Sequence, residues 1–341
     1  MKVIHFILGS VLLLLVMGFA VSEGATGISW SEIGASLAWQ LGLRHELSPD
    51  LLHADAILWS IRMPRVLMAA LSGAGLSLVG ASIQALVRNP MADPWLLGVS
   101  SGASLGAVLV LIGGLRLFGE LSLPLTAFLG AVLASGIIYH LARDRSALSS
   151  SRLIFTGLAI SFSFEACTQL LIFSADHPSQ IQNVMFWTMG SLGAVENDRL
   201  LLPFLTVGLG FFILYRKRHE LNIACLSDAK AHSLGINLSS FRLQIFLVCA
   251  GLTSVLVSVT GSIGFVGLMV PHLLRLVTGH DYRRLIPACL LGGAFFMVLA
   301  DFLARNVFDP QEIPIGVLTA LLGSPLFIWL MRRSDVQRGL P

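Results

Sequence analysis

The sequence predicts an all-α integral membrane protein of about ten transmembrane helices, and three observations carry that expectation. First, 55% of its 341 residues are hydrophobic and only 12% are charged, with a mean hydropathy of +0.82. That leaves too little polar surface to cover a water-soluble globule of this length. Second, ten runs approach the roughly 20 apolar residues that cross a bilayer as a helix: 3–21, 66–87, 95–113, 122–142, 153–174, 200–215, 241–260, 263–278, 285–304 and 314–331. Third, with the N-terminus inside, sixteen of the 22 Lys and Arg residues fall on one side of these spans and six on the other. The positive-inside rule makes the richer side cytoplasmic and puts both termini there. The net charge of +3 conceals this asymmetry. It is not a nucleic-acid signal, because the basic residues sit in short loops without interleaved stacking aromatics.

Span 1 combines one Lys with a long Leu/Val run. Its Ala20-Val21-Ser22 stretch also passes for a signal-peptidase site, whose use would leave nine spans; the expectation is that the span is retained. Residues 22–61 carry Trp30, Trp39 and Trp59 among Glu23, Glu32, Glu46, Asp50 and Asp55, a mixture suited to an external helix at the membrane interface. Span 2 begins after Arg62-Met63-Pro64-Arg65, where Pro64 is expected to interrupt helical bonding, push Met63 toward an extended conformation and hold both arginines outward. An Asn-Pro/Asp-Pro turn leads into span 3, whose Gly98, Gly102 and Gly106 share one helix face. They predict close helix packing rather than a phosphate cradle, with Gly73, Gly75 and Gly80 of span 2 as a facing surface.

A break is expected at Asp176–Pro178, after span 5. The longest inner loop, 216–241, is short of apolar residues at helical spacing and predicts one or two short surface helices. No linker, charge block or low-complexity stretch divides the chain, so 1–341 reads as one domain. A faint internal echo pairs RVLMAALSGAGL (65–76) with RLQIFLVCAGL (242–252), the starts of spans 2 and 7.

Little in the chain points to covalent chemistry. Cys167, Cys225, Cys249 and Cys289 form neither a CxxC pair nor a metal-ligand cluster. No GxxxxGK[ST] occurs, so this chain does not cradle ATP in the P-loop manner. Two acids lie within spans, where each needs a partner, a proton or water. Asp301 has Arg305 one turn away; Glu165 has no partner in sequence, which leaves an internal cavity and an interhelical hydrogen bond both open. His272, after Pro271, reads as a packing residue.

The stretch IRMPRVLMAALSGAGLSLVGASIQALVRNPMADPWLLGVSSGASLGA (61–107) resembles the RxPR…GAxLxxxGxxxQxxxRNPxAxPxxLGxSxGA pattern of permeases in ABC importers for iron–siderophores, haem and cobalamin. In order, FWTMGSL (186–192) looks like the family's WxxGSL element, LSDAKAHSLG (226–235) like its LGxxxAxxLG loop, and GFVGLMVPHLLR (264–275) like its GFVGLxxPHxxR helix. LADFLAR (299–305) and the run from Glu312 to Pro325 resemble its ending. The sequence departs at Ser227, where glycine is usual, and at Ala194–Asn197, which replaces a small-residue-plus-Trp sequence.

The resemblance implies a fold of two similar halves (spans 2–5 and 7–10) and a homodimer with its pathway on the two-fold axis. Outside it implies a periplasmic or lipid-anchored binding protein, whose acidic residues meet Arg62, Arg65 and Arg305. Inside it implies two separate ATPase subunits, which bind ATP-Mg and dock on the 216–241 loop at Ala231, Leu234 and Gly235. The chain itself carries no cofactor and no catalytic residue. Trp187, Met189, Gly190, Ser191 and Leu192 are the candidates for a gate, with Glu165 beside the pathway. The implied cargo is a metal chelate, ferric siderophore first, with haem or cobalamin as alternatives, moved across the inner membrane. A proton- or sodium-coupled carrier using Glu165 is the rival from another class, but it predicts paired acids at mid-membrane.

Overall fold

The computed structural model describes residues 3–338 except 25, 44–47, 145–146, 149, 227 and 309–310. Each of the ten apolar runs coincides with a helix. Among the described residues, six helices are long and apolar enough to cross a membrane: Leu51–Val87, Gly119–Ala142, Ser151–Phe173, Asn197–Arg216, Leu238–Thr260 and Tyr282–Asn306. Four shorter apolar helices accompany them: Phe6–Ser22, Val99–Leu111, Val266–Thr278 and Ile315–Trp329. A two-residue antiparallel ladder pairs Arg143 with Leu148 and Asp144 with Ala147.

Helix α1 (Val3–Ser22) lies against α14 (Tyr282–Asn306), with the Phe19 and Phe302 rings 5.1 Å apart. The predicted external helix is two elements. Helix α2 (Trp30–Gln40) starts at a capping box, in which Ser29 Oγ accepts from the Glu32 amide and Glu32 accepts from the Ser29 amide. Helix α3 (Pro49–Ile57) packs on it through Asp55, which accepts from Ser36 Oγ at 2.5 Å and from Gln40 Nε2 at 3.2 Å.

The expected interruption at Pro64 does not occur. Helix α3 runs through a π turn at Leu58–Arg62 directly into α4 (Met63–Val87), and Met63 is helical at φ −63°, ψ −47°. A proline removes one amide donor and crowds the carbonyl four residues back. The wider π turn shifts the register to i→i+5, so Met63 N donates to the Leu58 carbonyl and the helix continues.

Helix α4 is the buried axis of the protein, and its glycines set its neighbours. A Cβ on Gly73 would collide with the Gly293 carbonyl on α14, and one on Gly80 with the Gly267 carbonyl on α13 (Val266–Thr278). The Gly98–Gly106 face of α5 (Val99–Leu111) instead meets α6 (Ser122–Ala142): Gly102 is pressed on Gly130 and Gly106 on Thr126. Close packing was the right reading of both faces, but they do not face each other. In lipid, where tails are as apolar as side chains, such backbone approach holds helices together through dispersion rather than burial from water.

The break after span 5 is present: α7 (Ser150–Phe173) ends before α8 (Pro178–Thr188) begins at its proline. Helices α9 (Leu201–Arg216) and α12 (Leu238–Thr260) flank α4, and two short helices, α10 (Arg218–Ala224) and α11 (Asp228–Ser233), occupy the loop between them. Helix α15 (Ile315–Arg338) closes the chain.

Candidate translocation site

Helices α5, α7 and α8 line a cavity of about 440 Å³ whose wall carries Ser100, Ser101, Ser104, Glu165, Thr168 and Gln169. Helix α5 presents its serines there because Gly98, at φ +66°, turns the chain out of the Pro94–Leu97 3₁₀ turn. That turn is held by Asp93, whose carboxylate accepts from the Trp95 amide at 2.8 Å. Glu165 is exposed and lines this space, and among the described residues no hydrogen bond reaches it. The wall is rich in hydroxyl and amide groups.

A second cavity, of about 530 Å³, shares Trp95, Thr188 and Ser262 with the first and is bounded by Met189, Phe265 and Gly316. The candidate gate is therefore split. Met189 lines this second space, while Trp187 packs against the core and Leu192 is buried within it. Gly190 and Ser191 form a backbone junction instead: Ser191 N donates to the Thr260 carbonyl at 2.8 Å, Ile315 N to the Gly190 carbonyl at 3.1 Å, and Gly316 N to the Met189 carbonyl at 3.1 Å. Gly190 sits at φ +77°, and a Cβ there would come within 2.5 Å of the Ser262 carbonyl, so any other residue would be strained and would force this junction apart. The WxxGSL element thus ties the start of α15 to the end of α12.

At the N-terminal end of α4, beside this junction, the arginines turn inward, contrary to the expectation that they point out. Arg62 donates to the carbonyls of Val21 and Ser22, both at 2.8 Å, and to that of Thr26. These include terminal carbonyls of α1 that have no partner within the helix, and a cation there also suits the helix dipole. Arg65 donates through Nε to Asp301 at 2.9 Å and through Nη1 to both oxygens of Glu312, at 2.9 and 2.8 Å. Arg305 donates through Nε to the other Asp301 oxygen at 3.1 Å and through Nη2 to the Ala20 carbonyl at 2.9 Å. The i, i+4 pair of Asp301 and Arg305 is as expected, but it is one edge of a network that staples α1, α4, α14 and the approach to α15. Asp301, 1% exposed, is its centre.

On the other side, the loop between α9 and α12 contains two short helices, as predicted. Ala231 is fully buried, Leu234 is 58% exposed, and Gly235 ends α11 at φ +80° with open space where a side chain would be. Asp228 anchors this hairpin, pairing with Arg242 Nη2 at 2.8 Å and with Arg88. Arg88 is the left-handed cap of α4, at φ +55°, and its Nε also donates to the Ala224 carbonyl at 2.8 Å. The loop is therefore fastened to the C-terminal end of the central helix. Ser227 lies outside the described residues. The other departure from the family pattern has a local role, since Asn197 Nδ2 donates to the Trp59 carbonyl at 2.8 Å.

A model of the FecCD transport family matches residues 11–333. The chain belongs to the FecCD transport family. It is similar to the hemin transport system permease HmuU of Yersinia pestis, with 40% identity over 288 residues covering 82% of this chain and 84% of the relative. It is also similar to the vitamin B12 import permease BtuC of Klebsiella pneumoniae, with 38% identity over 279 residues covering 81% of this chain and 82% of that one. A solved structure of a metal-chelate type ABC transporter in an inward-facing conformation superposes with a TM-score of 0.83 at 29% identity, covering 96% of this chain and 98% of the other.

As a FecCD family member the chain is a multi-pass membrane permease, and two of its polar linkages escape a reading of the sequence alone. Glu312 lies 247 residues from Arg65 in sequence, and its signals were an acid just before the last apolar run and its place at the start of the family-like ending. Asp228, an acid within a basic inner loop, carried the same kind of signal for Arg88 and Arg242. In both cases a charge at a membrane boundary needed a partner that the linear sequence does not name.

Proposed function

We propose that this permease is the transmembrane subunit of a binding-protein-dependent ABC importer in the inner membrane, carrying a ferric siderophore from periplasm to cytoplasm. The observation that carries the cargo class is the hydroxyl- and amide-rich wall formed by Ser100, Ser101, Ser104, Thr168 and Gln169. Such a wall exchanges hydrogen bonds with a polar chelate without binding it tightly, which suits passage rather than storage. Ten spans with both termini inside, and a homodimer that closes the exposed face of α7 and α8 around a shared pathway, complete this reading. A haem cargo is the second reading, supported by the hemin permease relative.

Two ATPase subunits hold ATP-Mg and dock on α10 and α11 around Leu234 and Gly235, with Ala231 buried beneath that surface rather than on it, and the Asp228 clamp passes their motion to α4. Outside, the binding protein meets the Arg62, Arg65 and Arg305 cluster, in which Arg65 and Arg305 contact the carboxylates of Asp301 and Glu312 while Arg62 holds the end of α1. Glu312, 53% exposed on its side chain, is the member that an incoming acid displaces without uncovering Asp301.

The test is uptake into proteoliposomes holding permease, ATPase and binding protein, with ATP supplied to the ATPase side and no ion gradient. A ferric siderophore on the binding protein accumulates, and Glu165→Gln retains a substantial rate. Haem as the only transported cargo favours the second reading. Uptake that needs a proton or sodium gradient, or that proceeds without ATP, overturns the ABC reading.

A further inference from the structure

The inner ends of α4, α10 and α13 and the start of α14 enclose a second kind of cavity, of about 580 Å³, away from the Ser/Thr-lined space. Its wall carries Arg88, Arg275, His272 and His280 but only one carboxylate, Asp281. That carboxylate is occupied: it accepts from Asn222 Nδ2 at 2.8 Å and from the Arg283 amide at 2.9 Å, capping α14. Arg88 is committed to Asp228 and the Ala224 carbonyl. Arg275 is different, because its guanidinium reaches only neutral oxygens, Gln84 Oε1 and, at 3.3 Å, the Tyr282 hydroxyl. The Tyr282 hydroxyl in turn donates to the Ala81 carbonyl at 2.9 Å, so it accepts from Arg275. Neither imidazole has a hydrogen-bond partner among the described residues.

A half-buried guanidinium that bonds no carboxylate among the described residues, flanked by two imidazoles in a concave wall, matches an anion with several oxygens. The same edge of α13 continues into Leu276 and Val277, 62% and 86% exposed. Basic charge beside an exposed apolar strip at the cytoplasmic boundary is the arrangement that takes an anionic headgroup with its acyl chain alongside.

We propose that this cavity binds a phosphate group, supplied by an anionic phospholipid of the inner leaflet, with Arg275 as its main ligand and His272 and His280 as hydrogen-bonding partners. The site is separate from the pathway, and its test does not depend on transport. The full-length permease in neutral detergent is titrated with dioleoylphosphatidylglycerol, with dioleoylphosphatidylcholine, or with inorganic phosphate alone, and retained ligand is read by native mass spectrometry. The expected result is at least tenfold tighter binding of phosphatidylglycerol than of phosphatidylcholine. Arg275→Gln abolishes the preference. His280→Gln, at an exposed position whose loss removes no internal bond, weakens it severalfold, and Arg283→Gln, outside the cavity, leaves it intact. Inorganic phosphate bound as tightly as the lipid, and lost in the same variants, supports the phosphate site with free phosphate as its source. Equal binding of the two lipids with no phosphate binding, or a preference that survives both Arg275→Gln and His280→Gln, overturns it.

Discussion

Asp301→Asn isolates what the outer network contributes, because the amide keeps the shape of the carboxylate and removes its charge. Asp301 receives the Nε groups of Arg65 and Arg305 at 2.9 and 3.1 Å and is 1% exposed, so water cannot replace it. After the substitution Arg65 still has Glu312, but Arg305 is left with the carbonyls of Ala20 and Glu23. Removing one partner of a buried ion pair costs about 3–5 kcal/mol, and retained Glu312 puts the expectation at the lower end of that range. Glu312→Gln provides the contrast: its carboxylate is half in water, and the loss is about 1 kcal/mol. At roughly 2–4 °C per kcal/mol, the unfolding midpoint of the purified permease in detergent falls by about 6–12 °C for Asp301→Asn and by about 4 °C or less for Glu312→Gln. In a double-mutant cycle with Arg305→Gln the two losses are strongly non-additive. A midpoint for Asp301→Asn within about 2 °C of wild type, or a Glu312→Gln effect of equal size, refutes the view that Asp301 is the centre of the network.

The inner clamp gives predictions of a different kind. Burial pushes the Asp228 carboxyl up, but the hydrogen bond from Arg88 and the charge of Arg242 outweigh it and hold the group below the ordinary carboxylate value. A lowered folded value means the clamp's contribution is complete above about pH 4 and is lost only as pH falls through that lower value. ATP-driven uptake by the wild type is therefore insensitive to this group between about pH 6 and 8, whereas Asp228→Asn reduces uptake throughout that range while stimulation of the ATPase fades. Gly235→Ala costs about 1–2 kcal/mol for its left-handed backbone and leaves ATPase binding intact, since nothing stands where the methyl goes. Gly235→Trp carries the same strain but fills the open space, and co-purification of the ATPase drops; retained binding with normal uptake would remove α11 from the coupling surface.

The helices were legible because each needs only a local property, an apolar run of sufficient length, and the break before Pro178 is equally local. What the sequence did not disclose depends on which helices become neighbours. The glycine faces of α4 and α5 have the same signature, yet one meets α13 and α14 and the other meets α6. The arginines show the same limit more sharply. Motif spacing singles out Arg62, Arg65 and Arg305, but an arginine at a helix end reads alike whether it reaches into water or onto the free carbonyls of another helix. The π turn at Leu58–Arg62 decides between these, because it carries α3 unbroken into α4 and thereby turns Arg62 and Arg65 toward α1 and α14. Once Arg62 and Arg305 both bond the end of α1, and Asp301 joins Arg305 to Arg65, the outer ends of these helices can separate only by exposing charge to a low-dielectric interior. That constraint favours opening on the side of α7 and α8, where the cavity wall carries hydroxyl and amide groups.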